Sequence, residues 1–276
     1  MQNKYLRIFF TCFLGICGLM SVYPLLWLVM NSFKPTTDIM GGSSFALPTS
    51  FHWANYHFAV FERGIMNYFM NSFINTILTI ILVIVTSTML AYAVTRMMWK
   101  GKAKVLALVT LGILFPSQIV VTQIFVLVRT LGLSDTRWAL VLTIGAFNVA
   151  FGTLIASAFL RSIPFEMEES AVMDGANAFS MFFRIILPII KPAIATMAIN
   201  TFLSSWNEFI YAFVLIRSDN LRTLPTALTM FGNLRYGTDY GALFAAMVIS
   251  SIIPIIMYIM FSKQLEDALT VGAILK

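Results

Sequence analysis

From Tyr68 to Val94 the chain runs for 27 residues without a charged side chain. A helix rises 1.5 Å per residue, so about 20 apolar residues cross the ~30 Å hydrocarbon core of a bilayer. Runs of the same character extend from Ile8 to about Met30, Val105 to about Val128, Trp138 to Leu160, Pro192 to about Leu215, and Ala242 to Phe261. Composition agrees: 59% of residues are hydrophobic and 11% charged, against about 25% charged in an ordinary soluble domain. The expected fold is all-α, a polytopic membrane protein with six transmembrane helices.

Short-loop charges orient the spans. Lys4 and Arg7 precede the first run, and Arg96, Lys100, Lys102 and Lys104 cluster after the second. Basic residues favour the cytoplasmic side, so both places, and with six crossings both termini, are expected to be cytoplasmic. Arg129 and Arg137 in a short outer turn oppose that assignment. The first run is too long for a cleavable leader and lacks a small-residue cleavage site, so it is read as a retained span. The net charge of +6 is scattered over loops and does not point to nucleic acid. Lys34 to about Asn67 is an outer loop with an interfacial helix expected around Tyr56 to Phe61. His52 and His57 share no metal-ligand spacing with a carboxylate or cysteine. Cys12 and Cys17 sit five positions apart, about 140° around a helix, so neither a disulfide nor a metal pair is expected.

One long polar, acid-bearing stretch interrupts this pattern: Arg161 to Pro188, RSIPFEMEESAVMDGANAFSMFFRIILP. Ser162 can cap a helix and Pro164 suits its first turn. Glu166, Glu168 and Glu169 then fall where the helix dipole favours negative charge. Asp174-Gly175 signals a turn, and Asn177 can cap a second helix running through Phe179, Phe182 and Phe183. The product is helix, glycine corner, helix, at a membrane face. A solvated connection would satisfy the same charges with water and the dipole. A docking element needs more: an exposed face and a pivot. Gly175 supplies the pivot, Ala171, Val172 and Met173 can fill a partner's pocket, and Glu169 can meet a basic group or cap within its own loop.

The order Glu169-Ser170-Ala171, three residues, Gly175, nine residues, Ile185-x-Leu187-Pro188 resembles the EAA loop of ABC importer permeases, with Ser170 where that family usually has Ala. Pro24-Leu-Leu-Trp27, Ala91-Tyr-Ala-x-x-Arg96, Trp206-Asn-Glu-Phe209 and Leu269-Thr-Val-Gly-Ala273 resemble strings of the second, maltose-permease-type subunit of carbohydrate importers. The resemblance implies the type I ABC importer permease architecture. It implies one permease domain over 1–276, core helices shared with the family over 66–265 and a coupling loop over 161–188. The ATPase-docking residues it implies are Glu169, Ser170, Ala171, Val172, Met173, Asp174, Gly175, Ile185, Leu187 and Pro188. The implied partners are a second homologous permease, two ATPase subunits, an extracytoplasmic solute-binding protein, a carbohydrate and membrane lipid, in a bacterial inner membrane. ATP and Mg belong to the partner ATPase, and this chain is expected to hold no cofactor. A tail contact from Leu269 to Lys276 with the ATPase dimer is also implied, although the chain ends Gly-Ala-Ile-Leu-Lys where the family commonly ends Gly-Ala-Val-Lys-Gly.

No HExxH, GxSxG, CxxC or Gly-x-x-x-x-Gly-Lys-Ser/Thr string occurs, so neither catalysis nor a phosphate-cradling loop is expected here. Glu208 is the one acid inside an apolar run, where a charge costs about 2.5–3.5 kcal/mol and must face protein or water. Trp206 can stack on a sugar face, and Asn207 and Glu208 can bond hydroxyls. Equally, the two polar residues can join neighbouring helices. Gln118, Gln123 and Asn148 are further candidates for the substrate path or for interhelical bonds. Pro116 and Pro254 are expected to kink their helices. A glycerol-phosphate importer is the nearest alternative. An ion-coupled secondary transporter is the rival class, and it calls for more embedded ionisable groups.

Overall fold

The computed structural model describes residues 4–42, 45–233 and 237–274, the side chains of 232–237 and 263–274 excepted. Its helices are α1 (Lys4–Ser32), α2 (Ile65–Thr95), α3 (Lys102–Leu114), α4 (Val121–Thr130), α5 (Arg137–Ser162), α6 (Phe165–Met173), α7 (Ala178–Ile189), α8 (Lys191–Trp206), α9 (Ile210–Leu215) and α10 (Tyr240–Ile274). Short helical turns lie between them, and Gly232–Asn233 pairs antiparallel with Gly237–Thr238. Helices α1, α2, α5 and Tyr240–Ser262 of α10 are each long and apolar enough to cross a membrane. Two bent pairs, α3 with Ser117–Thr130 and α7 with α8, bring the spans to six when each pair counts as one.

The breaks depart from the expected spans. The third run bends by 91° at Pro116 rather than kinking within one helix. Pro116 has no N–H to donate and forces Phe115 into an extended conformation (φ −88°, ψ 116°). Just past the bend, the Tyr211 hydroxyl donates to the Ser117 carbonyl. Pro254, in contrast, lies inside the uninterrupted α10. The fifth run was expected to continue to Leu215, but α8 stops at Trp206 and the six-residue α9 follows after three residues. The interfacial helix appears as Ala54–His57 continuing into a π-helical turn, Phe58–Glu62.

Contacts divide the chain into two units, 1–67 with 227–253, and 68–226 with 254–276. In the first, the loop after α1 folds around buried Asn55, whose amide donates to the carbonyls of Ser32 and Lys34 at 2.8 Å each. Phe33 packs its ring against Phe51, Trp53 and Tyr56. His57 is exposed and lies against the Phe61 ring at 4.9 Å, and no metal-binding cluster occurs among the described residues. Apolar side chains of α1 stay outside (Leu19 75% exposed), the reverse of a soluble core.

In the second unit α2 and α5 run parallel. At the first turn of α5 Arg137 forks onto Asn71 and Asn75 of α2, at 3.0 Å and 2.8 Å. At their last turns Arg96 reaches the carbonyls of Leu160 and Ile163. Between these points the helices approach through glycines. A Cβ on Gly145 would lie 2.6 Å from Leu82 Cδ2, and one on Gly152 would lie 2.5 Å from Ser87 Oγ. Helix α8 packs on the same bundle, with Thr76 Oγ1 and Ser205 Oγ 3.2 Å apart.

Candidate functional site

The polar stretch folds as helix, corner, helix. Ser162 does not cap α6. It ends α5, its hydroxyl donating to the Phe159 carbonyl at 2.8 Å. Ile163 is extended because it precedes Pro164, and Pro164 occupies the N-cap position of α6. At the other end Gly175 N–H donates to Val172 O and Ala176 N–H to Ala171 O, both at 2.9 Å. These crossed bonds form a Schellman motif, which needs a left-handed residue between them. Gly175 supplies it at φ +85°. Asn177 then caps α7, its side chain accepting from Ser180 N–H at 2.8 Å.

The rear of this corner is apolar. Ala171, Met181, Phe182 and Ile186 join Ala91, Leu160 and Ile190 in one buried cluster. A π-helical stretch, Met181–Ile186, turns those α7 side chains inward. Ala171 is only 9% exposed, so it fills the chain's own core and not a partner's pocket. The apolar side chains offered outward are Val172 at 60% and Met173 at 87% exposure. Glu169, Ser170, Asp174 and Gly175 are exposed around them, and Ser170 spends its hydroxyl on the Glu166 carbonyl at 2.7 Å. Ile185 and Leu187 are half-buried behind the corner, and Pro188 is exposed. An open cavity of about 350 Å³ beside the corner is lined by Gly175, Asn177, Phe179, Ser180, Phe183 and Arg184.

Sequence reasoning missed the anchor of this element. Arg96 Nε lies 2.9 Å from Glu168 Oε1, with side chains 3% and 13% exposed. The same guanidinium stands 4.2 Å from the centre of the Phe165 ring. A signal was present: Arg96 is the one arginine among lysines and follows directly on α2, where a planar fork can serve several acceptors at once.

The proposed substrate path looks different in the structure. Trp206 is 2% exposed and packed between Phe69 (5.4 Å, edge-on) and Phe202 (5.6 Å, stacked), so it is a core ring, not a sugar platform. Asn207 bonds the Leu203 carbonyl at 2.9 Å. Glu208 accepts from Tyr211 N–H at 2.8 Å and opens α9. Asn148 is buried and interhelical, reaching Ser204 at 3.0 Å and Asn200 at 3.2 Å on α8. Gln118 and Gln123 are exposed and do not join Asn148 or Glu208 in these bonds. The tail side chains from Leu269 to Lys276 lie outside the described residues.

On the other side of the second unit Asp135 takes a left-handed turn (φ +57°) and accepts from Arg217 and Ser218 N–H at 2.9 Å each, and from the Ser218 hydroxyl. The Ser218 bonds, first that of the side chain, hold its carboxyl below the usual aspartate range.

Residues 84–270 match the family described as "Binding-protein-dependent transport system inner membrane component". The chain belongs to that family. It is 36% identical over 252 residues to a probable ABC transporter permease protein of Bacillus subtilis, covering 91% of this chain and 83% of that protein. A diacetylchitobiose uptake system permease protein of Streptomyces coelicolor is 32% identical, with the same coverage. Among solved structures, a chain of a bacterial ABC transporter involved in the import of the acidic polysaccharide alginate superposes with a TM-score of 0.84 at 24% identity, covering 95% of this chain and 98% of that one. The permease is therefore a multi-pass membrane subunit of the type I importer fold, and not itself an enzyme.

Proposed function

We propose that this permease carries a carbohydrate, a di- or oligosaccharide or a sugar derivative, inward on ATP hydrolysed by separate subunits, and that the corner around Gly175 is where an ATPase docks. The observation that carries the docking reading is the contrast across α6. Val172 and Met173 project 60% and 87% exposed from a corner whose opposite face is locked into the chain's own core. Two exposed apolar side chains on a rigid base suit a pocket on another protein better than they suit water. Glu169, exposed beside them, supplies a charge for a basic rim.

The carbohydrate reading is supported by the diacetylchitobiose relative and the alginate importer. The family's own description calls for a solute-binding protein. A second permease, two ATPases and cytoplasmic termini complete the reading, with ATP and Mg held by the ATPases. The ion-coupled alternative loses its one embedded acid, because Glu208 is engaged in opening α9.

The test co-expresses the chain with its neighbouring permease and ATPase and compares the wild type with Met173→Asp and Glu169→Lys. Both positions are exposed, so insertion and folding are preserved. Loss of ATPase co-purification, or of hydrolysis stimulated by a sugar-loaded binding protein, supports docking, and the stimulating sugar identifies the substrate. Retention of both in both variants refutes it.

A further inference from the structure

The corner that presents Val172 and Met173 is held by a residue outside the loop. Arg96, one position beyond the end of α2, makes four contacts that straddle the junction of α5 and α6. Two lie on the α5 side: NH2 donates to Leu160 O, and to Ile163 O at 2.7 Å. Two lie on the α6 side: Nε to Glu168 at 2.9 Å, and the guanidinium face on Phe165 at 4.2 Å. An ordinary C-terminal cation would serve only the carbonyls, to which the helix dipole draws it. Here the same planar group also fixes the first turns of the next helix, and its side chain is 3% exposed. A buried arginine is stable only where its charge is compensated, and here the Glu168 carboxylate and the Phe165 ring do so on the α6 side while NH2 bonds two carbonyls on the α5 side.

We propose that Arg96 is a positioning residue that sets the angle at which α6 leaves α5, so that movement forced on the corner by a docked ATPase is passed to α2. Gly175 lets the chain turn after α6, but nothing in a glycine fixes the direction in which α6 starts. Ile163 and Pro164 form an extended link: Ile163 N–H still closes on Leu160 O at 3.1 Å, and Pro164 has no N–H to carry the helix further. Without Arg96 the corner is a hinge; with it, α2, the end of α5 and the start of α6 move together. Lysine cannot substitute, because a single ammonium lacks the fork and the flat face.

This inference rests on the docking reading, and the experiment separates the two. The complete importer, both permeases with ATPases and binding protein, is reconstituted in vesicles, and sugar taken up per ATP hydrolysed is measured for wild type, Arg96→Lys, Glu168→Gln, Met173→Asp and Glu169→Lys. Arg96→Lys is expected to keep its ATPase and its hydrolysis, while uptake per ATP falls by about fivefold or more, the low end of a typical coupling effect. Glu168→Gln removes only the charge facing Nε, keeps the side chain's shape, and falls less. A purely structural role would lower uptake and hydrolysis in proportion, and an unchanged ratio in Arg96→Lys overturns the proposal. If Arg96→Lys does not assemble, Phe165→Leu and Glu168→Ala each remove one contact on the α6 side, and a wild-type ratio in both overturns it equally. Met173→Asp losing the ATPase while Arg96→Lys stays fully coupled refutes only the positioning role. Met173→Asp retaining both the ATPase and its stimulated hydrolysis, with Glu169→Lys doing the same, refutes the docking reading itself.

Discussion

Trp206 separates a substrate-binding role from a packing role, and the two give opposite results. Its ring is 2% exposed, edge-on to Phe69 at 5.4 Å and stacked on Phe202 at 5.6 Å. Truncating such a buried aromatic to alanine costs about 3–5 kcal/mol, and this includes two ring pairs each worth about 0.5–1.5 kcal/mol beyond area. For a chain of this length each kcal/mol moves the unfolding midpoint by roughly 2–4 °C, so Trp206→Ala should lower it by roughly 10 °C. Trp206→Phe keeps a ring between Phe69 and Phe202 and should recover most of that loss. Thermal unfolding of the purified complex reads the stability, and uptake into vesicles reads the apparent KM for sugar. Packing predicts a large drop for alanine, a small one for phenylalanine, and an unchanged KM in phenylalanine. A Trp206→Phe protein with wild-type stability and a tenfold higher KM would show that the indole meets substrate, and the reasoning from burial would be wrong.

Gly152→Val places a Cβ 2.5 Å from Ser87 Oγ and 3.2 Å from Met197 Sδ. It should therefore destabilise the α2–α5 contact by about 1–3 kcal/mol, read as a lower unfolding midpoint that Ser87→Ala partly restores. Asp135→Asn tolerates the left-handed backbone but removes the charge that Arg217 and Ser218 bind, so tryptic cleavage after Arg217 should accelerate. The Asp135 carboxyl is held below its ordinary value, so its contribution to stability is complete above an unfolded pKa of about 3.9. That contribution disappears as pH falls through the lower folded value. The wild type should accordingly show this loss only under acid, whereas Asp135→Asn shows the cleavage at neutral pH.

What could be read from the sequence followed from local rules. Long apolar runs fix where helices can lie, and Asp174-Gly175 followed by Asn177 marks a helix stop and a helix start that need no distant partner. The structure realises both, with Gly175 at φ +85° and Asn177 capping Ser180 N–H. Local rules fail where distant residues decide. Arg96 reads as one more positive charge in a cytoplasmic cluster until folding brings Leu160, Phe165 and Glu168 around it. Ala171 looks like part of an exposed apolar trio, yet helical geometry turns it inward while its neighbours point out. Pro116 announces a disturbance, but not its size: the chain turns by 91° there, and Ser117 just past the turn is held by the Tyr211 hydroxyl of another span.

The same reasoning explains why polar residues gather after Trp206 in an otherwise apolar run. When α8 stops there, its last turn closes with Asn207 N–H on Leu203 O and Glu208 N–H on Ser205 O, but the first amides of α9 have no helical partner. Asn207 returns to the Leu203 carbonyl and Glu208 takes the Tyr211 amide. Both side chains are thus bonded to backbone before any sugar arrives, Glu208 to an amide that would otherwise lack a partner and Asn207 to a carbonyl that its own N–H also reaches. Trp206 fastens the end of α8 into the aromatic core, so the break stays in one place. A broken span needs these residue types whatever the permease carries, which is why Trp-Asn-Glu is a poor guide to the substrate and a good one to the break.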